Sequence, residues 1–331
     1  MLPTIGGAGS LVSLCDATEH TNACIKNTFF EQDAISEADR GSLPQVELID
    51  DPRFWASVKH QKTCELQLST GVITLAFSFW RDHMHEVFTE TLLPTEPDNR
   101  AEQRLHQSLT WLILHELSHS ELGHFRLADE FGVAQRSCKN SHALDAIGYD
   151  LRHLAPVCLE MQADHEATDT LLGAYSAEGW HEVREKVLAI SGMMMLIELE
   201  DAKNNAEGRT HPKAATRIFQ LLGHLAEMPL VRAQVHQDTS LIPVEKELQA
   251  FAHGVTIPCF FDAIQLSKAA GAVSIADDLG SPEDFFKDLE IAKLGDPSRY
   301  GELKTQGAQE WAKLWPCNEA LKPILGSHFT N

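Results

Sequence analysis

The sequence lacks closely spaced cysteines. It has seven cysteines in 331 residues, an odd number at wide spacings, and no C-x-x-C motif occurs. Small zinc-binding knuckles and disulfide frameworks both need a denser cysteine pattern, so both are disfavoured. We therefore expect free thiols, which is typical of proteins in a reducing compartment.

Basic residues are scarce. The chain has 27 Lys and Arg against 48 Asp and Glu, which gives a formal net charge of −21. Nucleic acids and anionic membranes bind clustered Lys and Arg, so neither is expected as the main partner. A broadly negative surface remains compatible with a neutral or basic protein substrate.

Long apolar runs are missing as well. The most apolar segment, VLAISGMMMLI at 187–197, has only eleven residues, whereas a membrane-spanning helix needs about 20. We predict a buried helix there, with its methionines filling the core. The N-terminal segment MLPTIGGAGS shows neither the basic nor the apolar part of a signal peptide. These features predict a soluble, cytoplasmic protein.

Three common signatures of nucleotide binding and of serine hydrolases are also absent. The sequence contains neither G-x-x-x-x-G-K-[ST] nor G-x-S-x-G, and GGAGS at 6–10 lacks the third glycine of a dinucleotide fingerprint. A P-loop nucleotidase, a serine hydrolase of the elbow type and a Rossmann enzyme are therefore disfavoured.

The residue patterns predict an α+β fold that is mostly α-helical. The segment TCELQLSTGVITLAF at 63–77 predicts a hairpin whose second strand covers 72–77. A long helix is predicted from Ala101 to about Phe125, with the all-apolar turn WLIL at 111–114 placing it in the centre of a domain. Further helices are predicted at about 157–172, 180–203, 212–226, 244–253, 282–293 and 299–314.

We divide the chain into three regions. Residues 1–100 form an N-terminal region with a small sheet, 101–228 form the helices that carry the chemistry, and 229–331 form a C-terminal helical region. The last boundary is marked only by Pro229 and Pro243, so the C-terminal region is either separate or part of the same domain.

The motif H-E-x-x-H occurs within the predicted central helix, as His115, Glu116 and His119. Residues four apart on a helix differ by only about 40° in direction, so both imidazoles can bind one ion. Glu116 then lies beside that ion, where its carboxylate can take a proton from activated water. The alternative is a polar helix end in a histidine-rich chain, but such an end rarely follows an apolar turn.

A catalytic zinc ion needs a third protein ligand. A metzincin would have a histidine at position 125, which is Phe125 here. His124 lies nine residues after His115, about half a turn round the helix from it if the helix continues. We interpret His124 as a helix-end or outer-shell histidine. Glu160 and Asp164 in CLEMQADHEATD share a helix face and supply a candidate ligand and its supporting acceptor, unless they belong to a solvated acidic face.

A third stretch, THPKAATRI at 210–218, has His211 immediately before Pro212. By itself it is compatible with an exposed histidine ahead of a helix. Together, HELSH, EMQAD and HPKAATRI, in this order, resemble the gluzincin metallopeptidases of the HtpX and CAAX-prenyl-protease type. The resemblance covers about a third of the chain and implies a zincin-like fold with an active-site helix.

By this resemblance His115, His119 and Glu160 are ligands of a Zn²⁺ cofactor, and Glu116 is the general base. Members of those families have transmembrane helices or a signal peptide, and this sequence has neither. A soluble member is more similar to the Lit-type phage-exclusion peptidases, which are cytosolic bacterial proteins.

The resemblance also implies three supporting roles. Asp164 orients the site, His211 helps to hold the developing oxyanion, and Arg217 makes a supporting ion pair. The sequence therefore predicts a soluble zinc metalloendopeptidase that acts on a protein or peptide. The alternative is a zinc-stabilised binding or regulatory protein without catalytic activity, for which the retained Glu116 would have no use.

Overall fold

A three-stranded sheet precedes a mostly helical body. The computed structural model describes residues 45–60, 64–87, 97–125, 147–203, 211–293 and 295–326. The strands are β1 (Gln45–Ile49), β2 (Ala56–His60) and β3 (Cys64–Ser69). β3 is central, parallel to β1 and antiparallel to β2. The two edges of the sheet are therefore β1 and β2.

Ten α-helices are assigned in the described part of the chain. They are α1 (Thr70–Val87), α2 (Pro97–Glu121), α3 (Ala155–Leu172), α4 (Trp180–Lys203), α5 (Ala214–His236), α6 (Glu245–Phe251), α7 (Ile257–Ala269), α8 (Val273–Leu279), α9 (Pro282–Lys293) and α10 (Gln306–Gly326). The prediction of a mostly helical α+β protein with a small sheet is confirmed.

The hairpin predicted at 63–77 is wrong in its second half, because β3 leads directly into α1. Ser69 is the cause: its hydroxyl oxygen accepts the backbone N–H of Val72 at 3.3 Å, as a helix N-cap does. Gly71 then allows the helix to approach the backbone of residues 52–53, where a Cβ atom would overlap carbonyl oxygens. The hypothesis, drawn from the sequence, that 72–77 form an edge strand on which an extended peptide could pair is therefore wrong.

The central helix lies where its sequence predicts. Leu105, Leu109, Trp111 and Ile113 on α2 are almost completely buried, and α2 packs against α1, α3 and α4. α2 begins at Pro97 and ends at Glu121, so the predicted span is shifted by four residues at both ends. The buried middle of α2 holds the H-E-x-x-H turns rigidly against the core.

The methionine-rich segment is a buried helix, as predicted. Met193, Met194 and Met195 on α4 are each at most 1% exposed. Among the helices that the structure describes, none is both long and apolar enough to cross a membrane. Three cysteines, Cys158, Cys259 and Cys317, are buried free thiols.

The C-terminal helices pack on the helices that precede them. α10 contacts α5 and α3, and a second apolar cluster joins α3 to α10 through Cys158, Leu159, Leu314 and Leu321. α5 continues through Pro229 to His236, so the division at 228/229 falls inside a helix. The sequence patterns do not predict α7 and α8, and they predict α10 too early, at 299–314.

Gly192 on α4 should tolerate no side chain. A Cβ atom there would overlap the ring of Trp80, and that ring is held in place because its Nε1–H donates to Ser108 Oγ at 3.0 Å. We expect Gly192→Ala to lower the free energy of unfolding by about 1–3 kcal/mol, the usual cost of overpacking. Urea denaturation measures it.

Gly223 on α5 is the matched control. Its Cβ atom would meet only Leu289 Cδ1, at 3.5 Å, so Gly223→Ala should raise stability by about 0.5–1 kcal/mol through helix propensity. Equal effects of the two substitutions would contradict the packing of α4 against α1.

Candidate active site

The histidines of the H-E-x-x-H motif converge at the end of α2. His115 is buried and packs against Trp111, with ring centroids 5.5 Å apart. His119 is one turn further and half-buried. Their Nε2 atoms lie 3.3 Å apart, so the two nitrogens can bind a single ion between them.

Helix α3 brings a carboxylate to the same point. Glu160 Oε2 lies 3.2 Å from His115 Nε2 and 3.5 Å from His119 Nε2. For a tetrahedral ion with ligand bonds of about 2.0–2.1 Å, any two ligand atoms are about 3.3–3.4 Å apart. The three atoms therefore have the spacing of ligands around one zinc-sized ion.

His211 reaches the cluster from the segment before α5. Its Nε2 lies 3.3 Å from Glu160 Oε2, and its Nδ1 lies 3.4 Å from Asp201 Oδ2. Ligand atoms of His115, Glu160 and His211 all fall within 4.8 Å of one another. The position of His211 is therefore compatible with a fourth ligand as well as with a donor to substrate. α5 begins only at Ala214, so Pro212 lies before the helix and not in its first turn.

A buried ion pair holds the back of the cluster. Arg217 donates from Nε and Nη2 to the two carboxylate oxygens of Asp164, both at 2.7 Å. Asp164 Oδ1 also lies 2.8 Å from His115 Nδ1. This carboxylate favours a proton on Nδ1 of His115, which leaves Nε2 directed at Glu160 and His119.

The pKa values agree with an anionic carboxylate pair. Burial would raise the pKa of Asp164, but Arg217 and His115 outweigh it and lower the pKa to about 2. Burial has the same upward effect at Glu160, where His119 and His211 hold the pKa well below its usual range. Both groups are therefore ionised at neutral pH, as a metal ligand and its supporting acceptor need to be.

Glu116 is half-buried beside His115. Its carboxylate makes no hydrogen bond or ion pair with any residue that the structure describes. A carboxylate without a structural partner at the edge of a histidine cluster remains free to exchange a proton with a bound molecule.

His124 does not continue the helix half a turn away from His115. α2 ends at Glu121, and Gly123 has a φ of +73°, which reverses the chain. His124 is buried, with its Nδ1 2.9 Å from Nδ1 of His119. The angular argument assumed a continuing helix, and Gly123 was the signal against it.

Two neighbours on α3 lie away from the cluster. The His165 ring contacts His224 on α5, with ring centroids 4.9 Å apart. His165 and Glu166 line a separate cavity of about 560 Å³. The structure thus brings together six of the seven residues singled out in the three motifs, and it describes no contact between these six and the seventh, Glu116.

Sequence reasoning missed residues that anchor the start of α5. Glu310 on α10 accepts hydrogen bonds from the hydroxyl of Thr216 and from the backbone N–H of Lys213 at 3.2 Å. Glu198 on α4 accepts the N–H of Ala214 at 2.5 Å. These bonds fix the segment that follows His211, and nothing local in the sequence signals contacts between such distant positions.

A family model described as Peptidase U49 matches residues 51–230, more than half of the chain. The chain belongs to the peptidase U49 family. No curated protein and no solved structure matches it. The matched span contains HELSH, EMQAD and HPKAATRI, together with helices α1 to α4 and most of α5.

Membership establishes the general activity. This peptidase acts on peptide bonds, so its substrate is a protein or a peptide. Helices α6 to α10 lie beyond the matched span, yet α10 supplies Glu310, which bonds to the start of α5.

Proposed function

We propose that this peptidase is a zinc-dependent endopeptidase of the gluzincin type, with His115, His119 and Glu160 as metal ligands. The observation that carries the proposal is the triangle of Nε2, Nε2 and Oε2 atoms with sides of 3.2, 3.3 and 3.5 Å. Two imidazoles and one carboxylate are the ligand set of many catalytic zinc sites, in which a further position stays open for substrate.

The surroundings of the triangle support a catalytic role over a purely structural one. A structural zinc site is closed by four protein ligands, most often including cysteine, and no cysteine of the described residues belongs to this cluster. Glu116, next to His115 on α2, adds a carboxylate that makes no hydrogen bond or ion pair with the described residues. A non-catalytic binding protein would have no need of that group.

The resemblance to gluzincins gains support from tertiary structure. HELSH, EMQAD and HPKAATRI come from three separate segments, and the side chains that carry the resemblance meet within hydrogen-bond distance. Asp164 on α3 joins all three segments, because it contacts His115 on α2 and Arg217 on α5.

Each residue then has a defined task. A bound Zn²⁺ ion would supply a Lewis acid that makes water more acidic and polarises the scissile carbonyl. Glu116 would accept the proton of the attacking water and deliver it to the leaving amine. His211 would donate a hydrogen bond to the oxygen that becomes negative in the transition state. Asp164 and Arg217 would keep His115 oriented.

Glu116→Gln tests the general base. The substitution preserves size and polarity but removes the proton acceptor, so we expect peptide hydrolysis to fall by at least ~100-fold with zinc content unchanged. Proteome-wide cleavage mapping with both proteins measures the activity, and metal analysis of the same samples measures zinc. Undiminished cleavage would reject the mechanism, whereas loss of zinc would make Glu116 a ligand.

Glu160→Ala tests the third ligand. Loss of a residue that only supports a metal ligand typically weakens zinc binding by about 10–100-fold. Because Glu160 is proposed to bind the ion itself, its loss should weaken zinc binding by more than that. Glu166→Ala and His165→Ala are matched controls on the same helix, because both residues line the separate cavity. Competition with a chromophoric chelator measures the affinities. If a control variant loses the metal and Glu160→Ala keeps it, the assigned ligand set is wrong.

His211→Ala separates the two roles that its position allows. As a donor to the oxyanion, His211 acts mainly in the transition state, so its loss should lower kcat by about 10²–10³ with little change in KM or zinc content. Steady-state kinetics on a mapped cleavage peptide gives both constants. His224→Ala is the control, since His224 lies on α5 at the separate cavity. Loss of zinc in His211→Ala would identify a ligand.

A further inference from the structure

Besides the contact of Glu310 with the start of α5, helix α10 is connected to the histidine cluster by a series of side-chain contacts. Asn318 on α10 accepts a hydrogen bond from Gln162 Nε2 on α3 at 2.8 Å. The other end of that amide, Gln162 Oε1, lies 3.2 Å from His124 Nε2. His124 in turn lies with Nδ1 2.9 Å from Nδ1 of His119. We call Asn318, Gln162, His124 and His119 the amide–imidazole chain.

The hydrogen bonds of the amide–imidazole chain all run in one direction, from donor to acceptor. A glutamine amide donates only from nitrogen and accepts only at oxygen. Because Gln162 Nε2 faces Asn318, its oxygen faces His124, and Nε2 of His124 must carry the proton that lies between them. A neutral His124 then has no proton on Nδ1. The single proton between the two Nδ1 atoms must therefore come from His119.

This proton position determines which ring nitrogen of His119 keeps a lone pair. A neutral imidazole carries one proton, and in His119 it lies on Nδ1. Nε2 of His119 is left with its lone pair, and this is the nitrogen that lies 3.3 Å from His115 Nε2 and 3.5 Å from Glu160 Oε2. The opposite orientation of the Gln162 amide would reverse every donor and place a proton on that nitrogen.

We propose that Asn318, Gln162 and His124 are positioning residues that hold His119 in the tautomer with a bare Nε2. The inference rests on the proposed function in that His119 is taken as a metal ligand. It also makes α10, which lies outside the family-matched span, part of the machinery that prepares the site.

The surroundings favour a defined proton position. His124 is only 2% exposed, so water competes little with its two ring contacts. Gln162 and Asn318 are half-buried, and each belongs to a long helix, α3 or α10, that packs on the other. Reversal would require both amides to rotate together.

Nuclear magnetic resonance of the full chain with ¹⁵N-labelled histidine tests the proton positions directly. In metal-free protein at alkaline pH, we expect His119 to show a protonated Nδ1 and a bare Nε2. We also expect a scalar coupling between the Nδ1 nitrogens of His119 and His124, which requires a hydrogen bond between them. A proton on Nε2 of His119 in this sample would overturn the proposal.

Substitution of Gln162 tests whether this amide determines the tautomer of His119. Gln162→Leu removes both ends of the amide, so His119 should populate both tautomers and zinc affinity should fall about 10–100-fold. Gln162→Glu keeps an oxygen facing His124, so it should retain the tautomer and most of the affinity. A Gln162→Leu variant that keeps the single His119 tautomer and the full zinc affinity would overturn the proposal.

Gln220→Leu is the matched control. Gln220 on α5 donates to the carbonyl oxygen of Met161 at 2.8 Å and lines the same cavity as Gln162, but it does not contact His124. This variant loses a glutamine bond to α3 and should keep the His119 tautomer. A change in tautomer equal to that of Gln162→Leu would show a general effect of packing and reject the specific role.

These outcomes are distinct from failure of the proposed function. If the purified protein and all variants bind no zinc, the zinc peptidase proposal fails. The tautomer of His119 and its coupling to His124 are measured without metal, so they still decide whether the amide–imidazole chain orients the ring.

Discussion

The buried ion pair between Asp164 and Arg217 is the contact on which the site depends. It joins α3 to α5 by two hydrogen bonds of 2.7 Å, and Asp164 extends the connection to His115 on α2. Both side chains are at most 2% exposed. Removing one partner from such a pair leaves a buried charge and typically costs about 3–5 kcal/mol. The three helices are therefore fixed relative to one another at the point where the histidines and Glu160 meet.

The C-terminal helices complete this arrangement from outside the family-matched span. Glu310 on α10 binds the start of α5 just after His211, and Asn318 on the same helix binds Gln162 on α3. One helix thus supports two of the segments that carry the proposed chemistry. The family match covers the residues that would hold metal and move protons, whereas part of their support comes from a helix beyond it.

The sequence predicts the parts of this protein that depend on local spacing. His115 and His119 face one way because they are four residues apart on a helix, and the same holds for Glu160 and Asp164. The apolar turn at 111–114 also places α2 in the core correctly. Such features need no knowledge of tertiary structure.

One element and one angular premise failed where a local signal was given the wrong meaning. The Thr70–Gly71 pair was interpreted as a hairpin turn, but Ser69 caps α1 and Gly71 allows a close backbone approach. Gly123 ends α2 and turns His124 back towards His119. The contacts of Glu310 and Asn318 span 94 and 156 residues along the chain, and no pattern in one sequence indicates which polar residues of a distant helix will meet.

The two proposed histidine ligands on α2 are oriented by different chemistry, and charge explains the difference. His115 faces the carboxylate of Asp164, whose negative charge is balanced by Arg217. His119 faces a neutral imidazole that is followed by two neutral amides. The cluster already contains the carboxylates of Glu160 and Asp164, and within the described part of the chain Arg217 is the one permanent cation that contacts them directly. A further buried carboxylate behind His119 would add an uncompensated charge at a high desolvation cost. A neutral chain of donors and acceptors can impose the same tautomer without that charge, which leaves the balance between Glu160, Glu116 and a divalent ion undisturbed.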